Sequence, residues 1–514
     1  MNGAESLVRT LVASGVDTCF ANPGTSEMHF VAALDRVPGM RSVLGLFEGV
    51  VTGAADGYAR MTKKPAATLM HCGPGLANGL SLLHNASRAR VPIVNIVGDQ
   101  ATYHAPFDPP LSTDTEGLAR PSSVWVRRVT RTETLGADAA AAVQAARRPP
   151  SGIATLILPS DVSWNEGGAV GAALPVPQPS KVSADAIHNV ARTLASREPA
   201  LMLINGEAAS KDGLTLAYRI AAATGVRLAA PTFNTRLARG RGRYPLERVP
   251  YVVDVATAKY ADIKHLILVG AGEPVTFFAY PGKPSFSTPR DAKLHVLARP
   301  EDDHIDALAR LADELNCPDV VLPEGPRPVL ASGPLTPDSA AETLAALLPT
   351  HAIMVDEGIT LRDPFFNATA NAPPHDWLGN IGGAIGGGLP LSTGAAIAEP
   401  KRRVITITGD GSAMYAVQAL WTQAREQLDV TTIILSNRKY AVLYRELEGV
   451  GATPGPTVKD LFGLDRPALD WVAMAKSMGV DAARADSLER LADLLRHSFS
   501  KAGPLLVELP VDSA

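Results

Sequence analysis

The chain has 514 residues, too many for a single hydrophobic core, so two to four α/β domains are expected. Its formal net charge is −4 with no long basic run, which sets nucleic acid aside as a partner, and no apolar run approaches the length of a membrane span. Cys19, Cys72 and Cys317 are widely spaced, without metal-ligand spacing, and read as reduced residues of a cytoplasmic protein.

The N-terminus, MNGAESLVRTLVASGV, carries an acid and no basic lead, so it reads as an amphipathic helix over 4–14 and not as a signal peptide. A short strand around 16–20 leads to Asn22-Pro23-Gly24-Thr25-Ser26-Glu27, where Thr25 or Ser26 can cap the next helix. Next, Val43–Phe47 is apolar and Glu48 follows, opening a small-residue helix (GVVTGAADGYAR). An acid there either complements the helix dipole or is a partly buried group that keeps a proton available. Strand 65–70 ends at His71, beside the Gly73-Pro74-Gly75 turn that opens another helix. A histidine in that place is a hydrogen-bonded structural residue or a site residue. Strand 91–97 is followed by a long Pro-rich loop carrying His104, a weaker candidate for a site wall. A strand over 153–158 closes this segment.

Residues 167–185 turn to Gly, Ala, Pro and Ser, a linker. The segment 183–325 again alternates helices (183–196, 211–224) with strands (200–204, 227–230, 263–269, 293–297). Gly270-Ala271-Gly272 follows a strand but lacks the third glycine of a dinucleotide fingerprint. The arginine-rich run 236–243 (RLARGRGR) reads as a solvated loop. A second linker, Pro323–Pro337, leads to a strand at 352–355. Six glycines in the ten residues Gly379–Gly388 imply that backbone passes close to something there.

The densest signal runs from Arg402 to Tyr440. Val404–Thr408 and Thr431–Leu435 are β-branched runs flanking a helical pattern over 413–428, a right-handed parallel βαβ unit. Asp410, in the turn Gly409-Asp410-Gly411-Ser412, and Asn437, 27 positions later, then both stand at carboxyl ends of strands. On neighbouring strands roughly 5 Å apart, a carboxylate and an amide oxygen suit Mg²⁺ carrying phosphate. Gly411 lets the backbone approach that phosphate and the helix amides favour the anion.

GDGS with the distant Ser436-Asn437 resembles the cofactor fingerprint of thiamine diphosphate (ThDP) enzymes. NPGTSE, FEGVVTGAADGYAR, HCGPGLANG and GGAIGGGLP precede it in the order found in the acetolactate synthase and benzoylformate decarboxylase branch. The resemblance implies three doubly wound α/β sheets: a pyrimidine-binding domain (1–166), a central Rossmann-like domain (183–325) and a diphosphate-binding domain (335–514). It implies Mg²⁺ on Asp410, Asn437 and the Lys439 carbonyl. The cofactor would lie against Thr360, Ser412, Gly409 and Gly411. Gly383 would accept from its amino group, Ile385 would bend it, and Glu48 would protonate its pyrimidine. Thr25, His71, His104, Val442 and Leu443 would wall the pocket. FAD is not expected. Sites shared between copies imply a homodimer at least, with a homotetramer usual. The implied substrate is a small 2-oxo acid, and the implied reaction is acetolactate-synthase-like carboligation. The alternatives are decarboxylation to an aldehyde, or a catalytically silent ThDP-binding subunit. His71 stands where benzoylformate decarboxylase has a histidine. That enzyme's second histidine has no match in 273–282, and the lysine of the synthases is missing from PSSVWVRRV.

Overall fold

The computed structural model describes residues 1–322 and 324–511. Pro323, where the second linker is read to begin, and residues 512–514, the end of the third segment, lie outside the described residues. No helix among the described residues is long and apolar enough to cross a membrane.

Three open α/β sheets carry the chain, as expected. The first is six-stranded and parallel, in the spatial order Arg41–Leu44, Thr18–Asn22, Ala66–Met70, Ile93–Asp99, Ile153–Pro159, Trp125–Arg128. The second is five-stranded: Glu247–Arg248, Arg227–Ala230, Ala200–Ile204, His265–Val269, Lys293–Ala298. The third is seven-stranded: Asp481–Arg484, Leu505–Pro510, Val430–Ser436, Val404–Gly409, Ile353–Glu357, His375–Gly379, Leu237–Arg239. The central strands are wholly buried and nearly continuous in Val, Ile and Leu, as sheets covered on both faces require.

The topology explains where chemistry collects. In the first sheet the strand order reverses between Thr18–Asn22 and Ala66–Met70. In the third it reverses between Ile353–Glu357 and Val404–Gly409. Open α/β sheets bind ligands at the carboxyl ends of strands at such reversals. Helix Glu48–Thr62, entered from the first sheet, packs on helix Gly388–Ala398 of the third. The contact is close enough that a Cβ on Gly57 would strike the Leu391 carbonyl, and one on Gly394 the Ala54 carbonyl.

Two expectations are corrected. The pattern 413–428 is not one helix: the chain makes a short helix Asp410–Ala413, a 3₁₀ turn Met414–Ala416 and a helix Ala419–Arg425. The arginine-rich run is not a solvated loop. Leu237–Arg239 is an antiparallel edge strand on His375–Trp377 of the third sheet. Arg239 is buried, its guanidinium 3.4 Å from the Phe366 ring centroid, and Arg236 pairs with Asp376. Stacking and a backbone acceptor on Phe366 replace the water that such a charge ordinarily keeps.

Candidate active site

The first cluster stands at the reversal of the first sheet. Because Arg41–Leu44, Thr18–Asn22 and Ala66–Met70 are neighbours, the segments after them converge, bringing together residues far apart in sequence. After Asn22, Thr25–Glu27 forms a 3₁₀ turn. Neither Thr25 nor Ser26 caps it. Instead Glu27 turns inward, fully buried, and accepts the Gly24 N–H at 2.8 Å and the Ser26 hydroxyl. Its carboxylate oxygens lie 3.0 and 3.2 Å from Nδ1 of His71. With Nδ1 held by a carboxylate, the neutral ring carries its hydrogen there and leaves Nε2 free. Cys72 opens helix Cys72–Ala89 with its Sγ 3.3 Å from the Ser26 hydroxyl oxygen. Burial pushes its thiol up to about 11.

Glu48 is the first residue of helix Glu48–Thr62 and is buried. Asn78 donates to its Oε2 at 3.0 Å, and Gly75 lets the same neighbouring helix pass close to Oε1. Thr25 is exposed beside this cluster. His104 is exposed too, tilted against the Phe107 ring, and no hydrogen bond joins its side chain to Glu48 or His71 among the described residues.

The second cluster stands at the reversal of the third sheet. Gly409 pairs with Leu435, so Asp410 and Asn437 leave adjacent parallel strands just beyond their last contacts. Asp410 is buried and accepts the N–H groups of Gly411 (2.8 Å) and Arg438 (2.6 Å). Burial raises its carboxyl above the ordinary value, against those hydrogen bonds. No cationic side chain reaches it within ion-pair distance among the described residues. Asn437 accepts the Lys439 N–H at 3.1 Å. Ser412 is buried in the short helix that Asp410 opens, and Gly411 is pressed against the Tyr440 ring.

Around this pair lie the other expected residues. Thr360 is half-buried in the turn Ile359–Leu361, beyond strand Ile353–Glu357. Gly383 has φ +82°, a left-handed conformation that favours glycine, with the Phe277 ring against its α-carbon. Ile385 is half-buried two residues on. Val442 and Leu443 lie on helix Ala441–Gly449, which buries no residue. Glu446 on that helix accepts the phenolic hydroxyls of Tyr251 (2.9 Å) and Tyr280 (2.6 Å) from the middle segment.

Sequence reasoning missed Glu27, Asn78, Phe277 and Glu357. Glu357 explains the glycine-rich loop: its buried carboxylate accepts the N–H groups of Gly386, Gly387 and Gly388 (2.8, 2.9 and 3.1 Å) and the Thr408 hydroxyl. Desolvation nonetheless pushes its carboxyl up to about 7, the four donors opposing. No hydrogen bond joins Glu48 or His71 to Asp410, Asn437 or Gly383 among the described residues, although Asn85 of helix Cys72–Ala89 donates to the Ala384 carbonyl and accepts the Ala384 N–H at the glycine-rich loop (2.8 and 3.1 Å).

Residues 1–118 match the family described as "Thiamine pyrophosphate enzyme, N-terminal TPP binding domain", and 365–509 match "Thiamine pyrophosphate enzyme, C-terminal TPP binding domain". The chain is 52% identical over its whole length, and 99% of the relative's, to a Mycobacterium tuberculosis protein named "Putative acetolactate synthase large subunit IlvX". It is 31% identical, over 97% of both chains, to benzoylformate decarboxylase of Pseudomonas aeruginosa. The chain belongs to the thiamine pyrophosphate enzyme family. Its fold also matches the solved 4-hydroxybenzoylformate decarboxylase of Rhodococcus jostii RHA1, with a TM-score of 0.87 at 24% identity over both whole chains.

The second cluster fits the diphosphate end of such a cofactor. Asp410 is a buried carboxylate without a protein counter-ion among the described residues, Asn437 adds an amide oxygen, and hard cations take oxygen donors. Gly409 has only the Ser412 hydroxyl near where a Cβ would stand, a bare floor that a phosphate can approach.

Proposed function

We propose that this thiamine diphosphate enzyme is Mg²⁺-dependent, cytoplasmic and decarboxylates a small 2-oxo acid. The Glu27–His71 pair carries that reading. Bound thiamine diphosphate supplies the carbon that adds to the 2-oxo carbonyl and the electron sink for loss of CO₂. Asp410, Asn437 and the Lys439 carbonyl hold Mg²⁺. Ser412, Thr360, Gly409 and Gly411 hold the diphosphate. Gly383, Ile385, Val442 and Leu443 seat the aminopyrimidine. Glu48, its Oε2 fixed by Asn78, exchanges a proton with the pyrimidine through Oε1. His71, oriented by Glu27, delivers a proton through Nε2 to the carbon that lost CO₂, so that an aldehyde leaves. Thr25 and His104 line the substrate's approach.

As the family resemblance implies, a complete site takes Glu48 and His71 from one copy and Asp410 from another. A homodimer is the minimum, and a homotetramer pairs two of them.

A second reading, carboligation, is supported by the 52% identity to a protein named for acetolactate synthase. The deciding experiment incubates the protein with ThDP and Mg²⁺ against pyruvate, 2-oxobutyrate, benzoylformate and glyoxylate, measuring CO₂ and identifying products. A free aldehyde, lost in His71→Ala and reduced in Glu27→Gln, bears the proposal out. An acyloin or acetohydroxy acid, formed equally well by His71→Ala, overturns it in favour of carboligation. No CO₂ from any acid with cofactor bound supports a silent subunit.

A further inference from the structure

Around His71 the donor atoms are of a different chemical kind from those at Asp410. Three side chains of different type, Glu27, His71 and Cys72, place one ligand atom each within 4.8 Å of one another. Nδ1 of His71 lies 3.0 and 3.2 Å from the Glu27 oxygens and 3.7 Å from Sγ of Cys72. The Ser26 hydroxyl oxygen closes the figure at 3.1 Å from Nδ1 and 3.3 Å from Sγ.

Those separations can be compared with a tetrahedral zinc site. Bonds of about 2.0–2.1 Å to nitrogen, 2.3 Å to sulfur and 2.0–2.2 Å to oxygen give edges of about 3.4–3.6 Å. Four edges, from His71 to Glu27, Cys72 and Ser26 and from Ser26 to Cys72, fall within about half an ångström of this. Glu27 and Cys72 lie within 4.8 Å of each other, and the Ser26 hydroxyl, now hydrogen-bonded to Glu27, has to draw back from it. The carboxylate and thiol are already buried. The His71 side chain, 23% exposed, offers the way in.

We propose that Glu27, His71 and Cys72, with the Ser26 hydroxyl as a neutral fourth group, form a site for a thiophilic divalent cation of the Zn²⁺ class. The ion occupies the centre of the tetrahedron and replaces the Glu27–His71 hydrogen bond along one of its edges. The thiol proton of Cys72 leaves to solvent. The ring hydrogen of a neutral His71 moves from Nδ1 to Nε2, so one proton is released per ion bound. With Nδ1 on the metal, Nε2 no longer takes up and delivers protons, and the bound ion inhibits. The binding stands on geometry, and only the inhibition rests on the role proposed for His71. Mg²⁺ does not compete, because it prefers oxygen donors and the softer thiolate and imidazole select zinc-like ions.

The test uses the full-length protein loaded with ThDP and Mg²⁺. Co²⁺ is the optical probe, and Zn²⁺ is titrated calorimetrically in two buffers of different ionisation enthalpy. The expected result is one ion per chain, a near-ultraviolet thiolate-to-Co²⁺ charge-transfer band, one proton released, and activity falling in step with Zn²⁺ occupancy. Cys72→Ser abolishes the band and weakens Zn²⁺ at least about tenfold, whereas Cys19→Ser and Cys317→Ser keep both. Absence of the thiolate band in the unaltered protein overturns the site whatever the variants do. So does a band that survives Cys72→Ser, or Zn²⁺ uptake that occurs only by displacing Mg²⁺. Thiolate-bound metal with undiminished activity overturns the inhibition and, with it, the role given to His71.

Discussion

Replacing Gly57 with alanine tests how the two clusters are held in register. In an isolated helix the change is favourable by about 1 kcal/mol, since alanine is the better helix former. Here the new Cβ would stand 2.0 Å from the Leu391 carbonyl oxygen and 3.0 Å from the Ala395 amide nitrogen, both backbone. Restoring ordinary contact requires helices Glu48–Thr62 and Gly388–Ala398 to part by roughly 1 Å or more, stripping the packing around Gly53 and Pro390. Overpacking of this kind costs about 1–3 kcal/mol, and more where backbone must move. The net expectation is a loss of about 2 kcal/mol, or about 4–8 °C in apparent Tm for a domain of this size. Scanning calorimetry of the cofactor-free protein measures it. Because Glu48 begins one helix and the glycine-rich loop runs into the other, ThDP should also bind more weakly, read by quenching of tryptophan fluorescence. Gly394→Ala meets the Ala54 carbonyl across the same contact. One parting relieves both clashes, so the double variant should cost less than the two singles together. A Tm for Gly57→Ala equal to or above that of the unaltered protein would refute the reasoning.

Glu48→Gln should keep ThDP binding while lowering turnover by about 10²–10⁴-fold; cofactor titration beside a rate assay separates the two, and an unchanged rate removes Glu48 from the chemistry. Glu357 gives a pH signature. Its folded value of about 7 lies above the ordinary 4.5, so between these pH values the folded chain keeps a proton that the unfolded chain has released. Stability from this group is full below pH 4.5 and declines as pH rises to about 7, by up to about 3 kcal/mol. Tm measured against pH should show Glu357→Gln lacking that decline; parallel curves for the two proteins would contradict it. Gly383→Ala, at φ +82° and against Phe277, should cost about 1–2 kcal/mol and loosen ThDP, with the fold preserved by circular dichroism. Undiminished ThDP affinity would take Gly383 out of the cofactor cradle.

Residues that sit directly behind a β-branched run could be read from the chain alone. Asp410 and Asn437 each follow a strand whose composition announces it, and parallel pairing then puts them side by side; His71 is marked instead by the Gly73-Pro74-Gly75 turn beside it. Glu27 could not be found that way, because its partner His71 lies 44 positions on and meets it only once strand Thr18–Asn22 is known to neighbour Ala66–Met70. The one local hint was a three-residue spacing that lets the Glu27 carboxylate reach back to the Gly24 N–H, one half of a capping box. Asn78, Glu357 and Phe277 depend likewise on contacts between segments. Arg239 defeated composition outright: a guanidinium flanked by further arginines signals solvent, and nothing local betrays the Phe366 ring that shelters it. The overlong helix after Asp410 has a simpler cause. Apolar spacing persists through Met414–Val417, but the backbone there tightens into a 3₁₀ turn that periodicity does not register.

The strand Leu237–Arg239 has a practical consequence for anyone who would cut this protein into pieces. It lies between the two linkers in sequence, yet it seals the outer edge of the sheet that carries Asp410. A fragment begun at the second linker would present His375–Gly379 as a naked edge, unpaired backbone with Trp377 beside it, a template for aggregation. Exchanging the middle segment for that of a relative would likewise have to supply three residues able to zip onto this strand, and an arginine able to stack on Phe366. Sequence order makes this chain look modular; the hydrogen bonds stitch its middle to its end.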